Sequence, residues 1–241
     1  MYQKHKILGF IGARGGSKGI QDKNIAPFCD KPLIAWTMEA ARNSKYLDRT
    51  IVSTDSPKIF EIAKKFGADV PFLRPSRLAK DHTPVQPAIS HALEWIKKND
   101  MEIYDIVVLL QPTSPLRTHI HIDHALEFYF KNRKSLRDTL VSVIRAPQKM
   151  GWLLKETSLG YVKDCFDILK TNQRQSLSNF YYSNGAIFIT PIYSHKHIQF
   201  YTNRTLPYVM PPEVSIDIDT DKDFKIAKNS MVRLLNSKKH F

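Results

Sequence analysis

Short apolar runs alternate with segments of helical periodicity along most of this chain, and that alternation limits the folds open to it. Residues 106–110 are apolar throughout, as expected for a strand covered on both faces of a sheet. Strands and helices that alternate predict right-handed βαβ units and a mostly parallel sheet. We predict strands at residues 7–13, 49–53, 106–110, 139–144, 185–189 and 214–218.

Helix start signals separate these runs. The pairs Ser56-Pro57 and Thr83-Pro84 each place an N-cap residue before a proline, and Thr118 precedes another helical segment. Thr220, with Asp223 three residues on, resembles a capping box that opens a last helix. The pattern predicts a Rossmann-like α/β fold with helices on both faces of the sheet.

Residues 145–183 break this rhythm, since they lack a clean helix and are rich in Tyr, Trp, Gln and Asn. We interpret them as an excursion from the main sheet. The length of 241 residues fits one α/β domain, so residues 1–241 are predicted to form a single domain that contains this excursion.

The charge balance favours anionic partners. The formal net charge is +13, which suits nucleotides, acidic metabolites, nucleic acid or an anionic membrane, but a basic surface that only aids solubility explains it equally well. Cys29 and Cys165 are far apart, which argues against a disulfide framework or a zinc site and for a reducing compartment. The N-terminal apolar run is short and lacks a cleavage site, and no stretch has the length of a membrane span. We therefore expect a cytoplasmic protein with no membrane partner.

The loop that follows the first strand is the first candidate site. Gly15, Gly16 and Gly19 allow the backbone to present its N–H groups to an anion. The cations of this loop, which suit a triphosphate, are Arg14, Lys18 and Lys23. The alternative is a flexible basic surface loop. The spacing fits neither the dinucleotide fingerprint nor the P-loop.

Two further segments carry polar groups. Residues 111–117, after the strongest strand, form either part of a site or a plain strand-to-helix connection. Asp217 and Asp219 would share a face if they lie on a strand, and paired carboxylates with a triphosphate nearby suit Mg²⁺. The alternative is that Asp219 and Asp221 favour the dipole of the last helix.

The remaining charged clusters have simpler interpretations. The histidines at positions 119, 121 and 124 are spread around a helix and are taken as structural. The basic run of Lys131, Arg133, Lys134 and Arg137 is more typical of a solvated helix end than of a nucleic-acid patch.

Four motifs occur in one order along the chain: Gly12-Ala-Arg-Gly-Gly-Ser-Lys-Gly-Ile20 with Lys23-Asn24, Gln111-Pro-Thr-Ser-Pro-Leu-Arg-Thr118, Asn184-Gly-Ala-Ile187 and Ser215-Ile-Asp-Ile-Asp-Thr220. Together they resemble the acylneuraminate cytidylyltransferases, also called CMP-sialic acid synthetases. The resemblance implies that CTP and an acidic nine-carbon 2-keto sugar are the substrates, that CMP-sugar and pyrophosphate are the products, and that Mg²⁺ is required.

The resemblance also implies roles for residues. Arg14, Lys23, Asp217 and Asp219 would be catalytic, and Asp217 and Asp219 would bind Mg²⁺. Either Asp219 or a water molecule would accept the proton of the attacking hydroxyl. The nucleotide would be held by Ala13, Arg14, Gly15, Gly16, Ser17, Lys18, Lys23, Asn24, Arg74 and Thr83.

The acceptor sugar would contact Gln111, Lys149, Arg174, Phe188, Phe200 and Tyr201. Phe188 stands where sialic-acid enzymes commonly have tyrosine, which favours a less polar sugar such as legionaminic or pseudaminic acid. Gly12 replaces the usual proline of the family. By the same resemblance, residues 145–183 would pack across a partner subunit in a homodimer.

Two rival functions stay open at this point. Within the same class, the acceptor could be the eight-carbon acid Kdo. From another class, the charge of +13 is compatible with a basic nucleic-acid-binding protein, although the sequence contains no RNA-binding aromatic motif or zinc-finger spacing. We predict that nucleic acid is not a partner.

Overall fold

The computed structural model describes residues 1–17, 19–147, 150, 153–165, 179–195 and 197–237. Its α-helices are α1 (Leu33–Arg42), α2 (Pro57–Lys65), α3 (Gln86–Asn99), α4 (His119–Asn132) and α5 (Asp221–Ser237). Its strands are β1 (Ile7–Gly12), β2 (Pro27–Phe28), β3 (Lys31–Pro32), β4 (Arg49–Ser53), β5 (Ile106–Leu110), β6 (Thr139–Arg145), β7 (Leu154–Glu156), β8 (Val162–Asp164), β9 (Tyr181–Pro191) and β10 (Thr205–Val209).

Six strands form the main sheet, in the order β10-β6-β9-β5-β1-β4. The pairs β1–β4, β1–β5 and β6–β10 are parallel, whereas β9 pairs antiparallel with both β5 and β6. The prediction of a mostly parallel α/β sheet is confirmed. The antiparallel direction of β9 was not predicted.

Helices cover both faces of this sheet, as predicted. On one face, side chains of α1, α2 and α4 pack against Ile106, Val108 and Leu110 of β5. On the other face, α3 packs against Val107 and Leu109 of the same strand. Two buried faces explain why β5 is apolar throughout. Helix α5 lies over a smaller third cluster with Phe28, Leu33 and Leu116.

The strand predicted at residues 214–218 is wrong. A short 3-10 helix spans Pro212–Val214, and no strand follows it before α5. Ile218 is buried against α5, and its backbone N–H donates to the carbonyl oxygen of Thr113 at 2.9 Å. The alternating apolar residues therefore anchor a loop under a helix instead of extending the sheet.

The edge strand that sequence reasoning missed is β10, which contains Pro207. Proline cannot donate to a ladder and is tolerated at a sheet edge, which is where β10 lies. An interrupted, half-exposed run of this kind carries little strand signal.

Three of the predicted helix starts are found. The side chain of Ser56 accepts a hydrogen bond from Ile59 N at 3.4 Å, Thr118 forms a capping box with His121, and Asp223 accepts from Thr220 N at 2.9 Å. The start predicted at Thr83 is wrong, because α3 begins at Gln86 with proline in its first turn. The relevant start signal is therefore Pro87 and not Pro84.

Within residues 145–183, β7 and β8 pair with each other in a separate two-stranded sheet. β6 ends at Arg145 and β9 begins at Tyr181, next to each other in the register. The segment thus leaves the main sheet and returns to it at the same end of two neighbouring inner strands.

Candidate active site

A cavity of about 410 Å³ opens at the carboxyl ends of β1 and β5. β1 lies between β4 and β5, so the chain reverses its direction of strand addition at this point, and crevices at such points are the usual ligand sites of α/β sheets. The predicted site residues on its lining are Arg14, Ser17, Lys23, Asn24, Arg74, Thr83, Gln111 and Asp219. Lys18 lies outside the described residues.

The glycine-rich loop is fixed by hydrogen bonds to its neighbours. Ala13 N donates to the carbonyl oxygen of Ser53 at 3.0 Å, and Gly15 N donates to Oδ1 of Asp55 at 2.9 Å. The side-chain amide of Asn24 donates to the carbonyl oxygen of Arg14 at 3.0 Å. The loop is therefore held at both ends and is not a free surface loop.

The glycine-rich loop and the acidic segment meet at the cavity. Lys23 Nζ donates to the carbonyl oxygen of Ile218 at 2.5 Å and lies 3.2 Å from Oδ1 of Asp219. Gly19 approaches the same segment so closely that a Cβ there would lie 2.3 Å from the carbonyl oxygen of Asp219. Only glycine fits this position without a backbone shift.

Asp217 is the more enclosed member of the acidic pair. Its Oδ1 is buried and has no hydrogen-bond partner among the described residues. Burial raises the pKa of this carboxyl, and the charge of Asp219 adds to the effect, whereas Thr113 and Lys23 oppose it. Asp219 is mostly exposed, with 77% of its side chain accessible. The two residues do not lie on a strand, so the shared-face argument was wrong even though both residues belong to the same segment.

Gly185 lies next to Asp217 and Gln111 and was not predicted as a site residue. Its backbone has φ of +71°, and a Cβ there would lie 2.7 Å from Oδ2 of Asp217 and 3.3 Å from Oε1 of Gln111. A side chain at position 185 would therefore displace either group. The sequence Asn184-Gly185 hinted at a special backbone, but not at which residues approach it.

Arg117 holds the strand ends beneath the site and was also missed. It is 1% exposed, and Nη1 donates to the carbonyl oxygens of Gln111 at 3.1 Å and Ala186 at 3.0 Å. Burial lowers the pKa of its guanidinium to about 9. Arg117 therefore ties the end of β5 to β9 next to Gly185.

A buried polar chain connects the acidic segment to the sheet. Ser142 Oγ donates to Oδ1 of Asn184 at 2.6 Å, and Nδ2 of Asn184 donates to Oγ of Ser215 at 2.9 Å. Ser215 Oγ in turn donates to the carbonyl oxygen of Pro211 at 2.8 Å. These bonds fix the segment that precedes Asp217.

The far wall of the cavity contains a buried arginine. Arg74 is 7% exposed, and its Nη2 donates to the carbonyl oxygen of Ser53 at 3.0 Å. Burial lowers the pKa of this guanidinium. Across the mouth of the cavity, Nη1 of Arg14 forms an ion pair with Asp81.

The predicted aromatic sugar contacts lie together, but not on this cavity. Phe188 is 5.4 Å from Phe200 and 6.1 Å from Tyr201 between ring centroids. Phe188 and Phe200 belong to the core cluster under α3, and Tyr201 is exposed. Core packing explains both phenylalanines without a substrate. The other predicted sugar contacts, Lys149 and Arg174, lie outside the described residues.

This fold and this site define a class of α/β proteins in which a glycine-rich loop after the first strand meets an acidic segment near the end of the chain. A family model described as Cytidylyltransferase matches residues 8–239. The chain belongs to the cytidylyltransferase family.

Three proteins that are similar to this chain in sequence have names that refer to CMP-sugar synthesis or cytidylyl transfer. The chain is 37% identical to an N-acylneuraminate cytidylyltransferase of Escherichia coli over 92% of this chain and 51% of the relative. It is 35% identical to a CMP-N,N'-diacetyllegionaminic acid synthase of Legionella pneumophila over 94% and 96%. It is 32% identical to a pseudaminic acid cytidylyltransferase of Campylobacter jejuni over 92% and 95%. The chain spans about half the length of the N-acylneuraminate cytidylyltransferases that it matches.

Solved structures share the fold at low identity. A CMP:2-keto-3-deoxy-manno-octonic acid synthetase complexed with CTP superposes with a TM-score of 0.66 at 15% identity, covering 95% of this chain and 99% of that one. A 4-diphosphocytidyl-2C-methyl-D-erythritol synthase of Anaerococcus prevotii gives 0.60 at 12% identity, covering 94% and 96%.

Proposed function

We propose that this chain transfers CMP from CTP to the anomeric hydroxyl of an acidic nine-carbon 2-keto sugar and releases pyrophosphate. The observation that carries the proposal is the meeting of the cationic glycine-rich loop with the acidic segment at Lys23 and Asp219. A polyphosphate in the cavity would contact both regions at once. Relatives named for N-acylneuraminate, legionaminic and pseudaminic acid support the class of acceptor.

The loop would bind the phosphates of CTP. Arg14 and Lys23 line the cavity and supply positive charge. Gly16, whose φ is +67°, would turn the loop so that its own backbone N–H meets a phosphate, because the N–H of Gly15 is already donated to Asp55. Asn24 and Arg74 would contact the nucleoside from the wall that they share. Ser17 and Thr83 add hydroxyl groups to the same lining.

Gln111 would orient the acceptor. Its side chain and that of Asp217 both lie next to Gly185, and its backbone carbonyl accepts a hydrogen bond from Arg117. A fixed hydroxyl next to the α-phosphate turns the transfer into a reaction between positioned groups. The new bond forms between the sugar oxygen and the α-phosphorus, and the bond to pyrophosphate breaks.

Asp217 and Asp219 fit a magnesium ion. Among the described residues no group of three or more His, Cys, Asp or Glu side chains gathers for a metal, but Mg²⁺ commonly binds one or two carboxylates plus substrate phosphates. The buried, unpartnered Oδ1 of Asp217 is the kind of atom that a cation would satisfy. When bound, Mg²⁺ would neutralise charge on the reacting phosphate.

Turnover with a panel of acceptors tests the proposal. The full chain with CTP and Mg²⁺ should release pyrophosphate when N-acetylneuraminic, legionaminic or pseudaminic acid is added. Pyrophosphate release with Kdo alone would instead assign the eight-carbon acid. Failure of every acceptor, together with tight and steeply salt-dependent oligonucleotide binding, would favour the nucleic-acid alternative.

We also propose a homodimer that forms through residues 145–183. Leu154, Leu159, Tyr161 and Val162 are exposed at 50%, 80%, 72% and 63% on and between β7 and β8. Adjacent exposed apolar side chains are typical of an interface. Light scattering should give twice the chain mass, and Tyr161→Asp should lower it. A matched change at the exposed Ile103, Ile103→Asp, should leave the mass unchanged.

The proposed location is cytoplasmic, supported by two cysteines that are both free. No helix in the described ranges combines the length and the apolar character of a membrane span.

A further inference from the structure

A second polar cavity lies at the other end of the strands from the candidate active site. Its volume is about 600 Å³, and it is lined where β6 and β10 begin and where β9 ends. The parallel strands end in the candidate active site but start here, so the body of the sheet separates the two cavities. None of the lining residues is shared between them.

Hydrogen bonds within the chain shape the walls of this second cavity. Thr190 Oγ1 donates to the carbonyl oxygen of Gln199 at 2.7 Å, and Thr139 Oγ1 donates to that of Phe200 at 2.8 Å. Thr202 N donates to Oγ1 of Thr205 at 2.8 Å. These bonds fix residues 199–205 on the strand ends, so this wall of the cavity is held by the chain itself.

The charge on the lining is positive. The lining contains Arg137, Arg204 and His197, and no aspartate or glutamate. Among the described residues, Arg137 has no ion-pair partner. The guanidinium of Arg204 uses Nε for one carboxylate, and 46% of its side chain stays accessible.

That carboxylate belongs to Asp138, which lies behind the lining. Asp138 is 4% exposed and accepts hydrogen bonds from Lys134 N at 2.6 Å, Ser135 N at 3.0 Å and Arg204 Nε at 2.6 Å. Its charge is therefore satisfied by the chain itself, and it orients Arg204. Because Asp138 offsets the charge of Arg204, the positive charge left at the cavity is that of Arg137.

Neutral polar groups surround these cations. The side chains of Gln199 and Asn203 line the cavity, as does Tyr193, whose side chain is exposed. Burial raises the pKa of the Tyr193 hydroxyl, and the charges of Arg137 and Arg133 oppose that rise, whereas the charge of Asp138 adds to it. Amide groups and an exposed ring next to arginines suit a ligand with hydroxyl groups as well as a negative charge.

We propose that this cavity binds a small oxyanion carried on a hydroxylated body, either a sugar phosphate or a sugar acid, separately from the nucleotide site. Arg137 supplies the main charge contact, and the amide groups contact the hydroxyls. The proposal does not depend on the reaction proposed above, because it uses none of the same residues.

Ligand-induced thermal stabilisation of the full chain tests the proposal. The probes are glucose 6-phosphate, glucuronate, inorganic phosphate and neutral glucose, each in the absence of CTP. A ligand that binds the folded state raises the melting temperature, and at a fixed ligand concentration the rise grows with the logarithm of the affinity once the site is largely occupied. We expect glucose 6-phosphate or glucuronate to raise it and glucose to have no effect, and comparison of the two anions tells phosphate from carboxylate. A rise with inorganic phosphate as large as that with glucose 6-phosphate would contradict the hydroxylated body.

Variants locate the binding. Arg137→Gln should weaken it roughly tenfold or more, because it removes charge-assisted hydrogen bonds. Lys131→Gln removes the same charge from an exposed position of the same basic run and should leave binding unchanged. Arg14→Ala should also leave it unchanged, because Arg14 lines the other cavity.

Besides an equal rise with inorganic phosphate, three outcomes would overturn the proposal: no stabilisation of the unmodified chain by either anionic sugar, equal stabilisation of Arg137→Gln, or loss of stabilisation in Arg14→Ala. The last would move the binding to the nucleotide site. Loss of transferase activity in Arg14→Ala would leave this proposal intact, so the two proposals fail separately.

Discussion

Gly19 lies against Asp219 with no room for a side chain, since a Cβ at position 19 would be 2.3 Å from the carbonyl oxygen of Asp219. One residue near the start of the chain and one near its end thus form a single wall of the cavity. The contact is to backbone, which cannot rotate away as a side chain can.

Gly19→Ala should therefore separate the loop from the acidic segment and weaken CTP use at least tenfold. Gly12→Ala is the matched control, because a Cβ there would meet only the side chains of Phe10 at 3.3 Å and Val85 at 3.5 Å. Rates of pyrophosphate release against CTP concentration would measure both. Similar kinetics for Gly19→Ala and the unmodified chain would contradict a close approach of the two regions.

Asp217→Asn should abolish transfer and leave the protein folded. Burial disfavours the ionised carboxyl, so its neutral replacement should cost no stability and should raise the free energy of unfolding. Asp221→Asn, at the exposed start of α5, should keep activity and should lower the free energy of unfolding by at most about 1 kcal/mol, because it removes a favourable charge from the N-terminus of the helix. Near-normal turnover of Asp217→Asn with Mg²⁺ would refute the metal assignment.

Asp81→Asn should strengthen CTP binding several-fold. The carboxylate of Asp81 pairs with the guanidinium that is proposed to bind phosphate, and a triphosphate must compete with it for Arg14. Asp22→Asn is the control, because Asp22 pairs with Lys58, which is not on the lining of the cavity. Calorimetry with CTP measures both, and unchanged or weaker affinity in Asp81→Asn would contradict the competition.

His121 should make folding sensitive to mild acid. Its Nδ1 accepts a hydrogen bond from Thr118 N at 3.0 Å, and burial lowers the pKa of its ring to about 4. The unfolded chain binds this proton near pH 6.5 but the folded chain only near pH 4, so stability is lost as pH falls through that window. The loss is at most about 3 kcal/mol, and smaller to the extent that solvent reaches the ring.

His121→Gln should remove that part of the pH dependence, because glutamine can also complete a capping box but does not titrate. Urea unfolding between pH 4 and 7 would measure it. His119→Gln serves as the control, because His119 follows the N-cap residue but takes no part in the capping box. If both variants keep the dependence of the unmodified chain, His121 is not its source.

Local chemistry explains what the sequence predicted. The run at β5 is apolar because both faces of the strand are buried. The N-cap at Ser56 depends on a residue three positions away. Both features could therefore be predicted from residues that are close in sequence. The glycine-rich loop and the acidic pair were identifiable for the same reason, since each concentrates its chemistry within a few positions.

Long-range approaches explain what the sequence did not predict. The need for glycine at Gly185 arises from Asp217 and Gln111, and the role of Arg117 arises from two carbonyl groups on different strands. Asp138 forms its ion pair with Arg204, which lies far along the chain. Such pairs become visible only when the strand order is known, and the antiparallel β9 made that order hard to foresee.

Because β9 runs against its neighbours, the segment between β6 and β9 departs from the sheet at Arg145 and rejoins it at Tyr181, beyond the last pair of β5 with β9 at Leu110 and Ile187. Closing a longer or shorter loop between two fixed anchors changes the free energy of folding only slowly with loop length. The segment between β6 and β9 can therefore lengthen or shorten by insertion or deletion while the glycine-rich loop, carried by β1 on the far side of β5, keeps its shape.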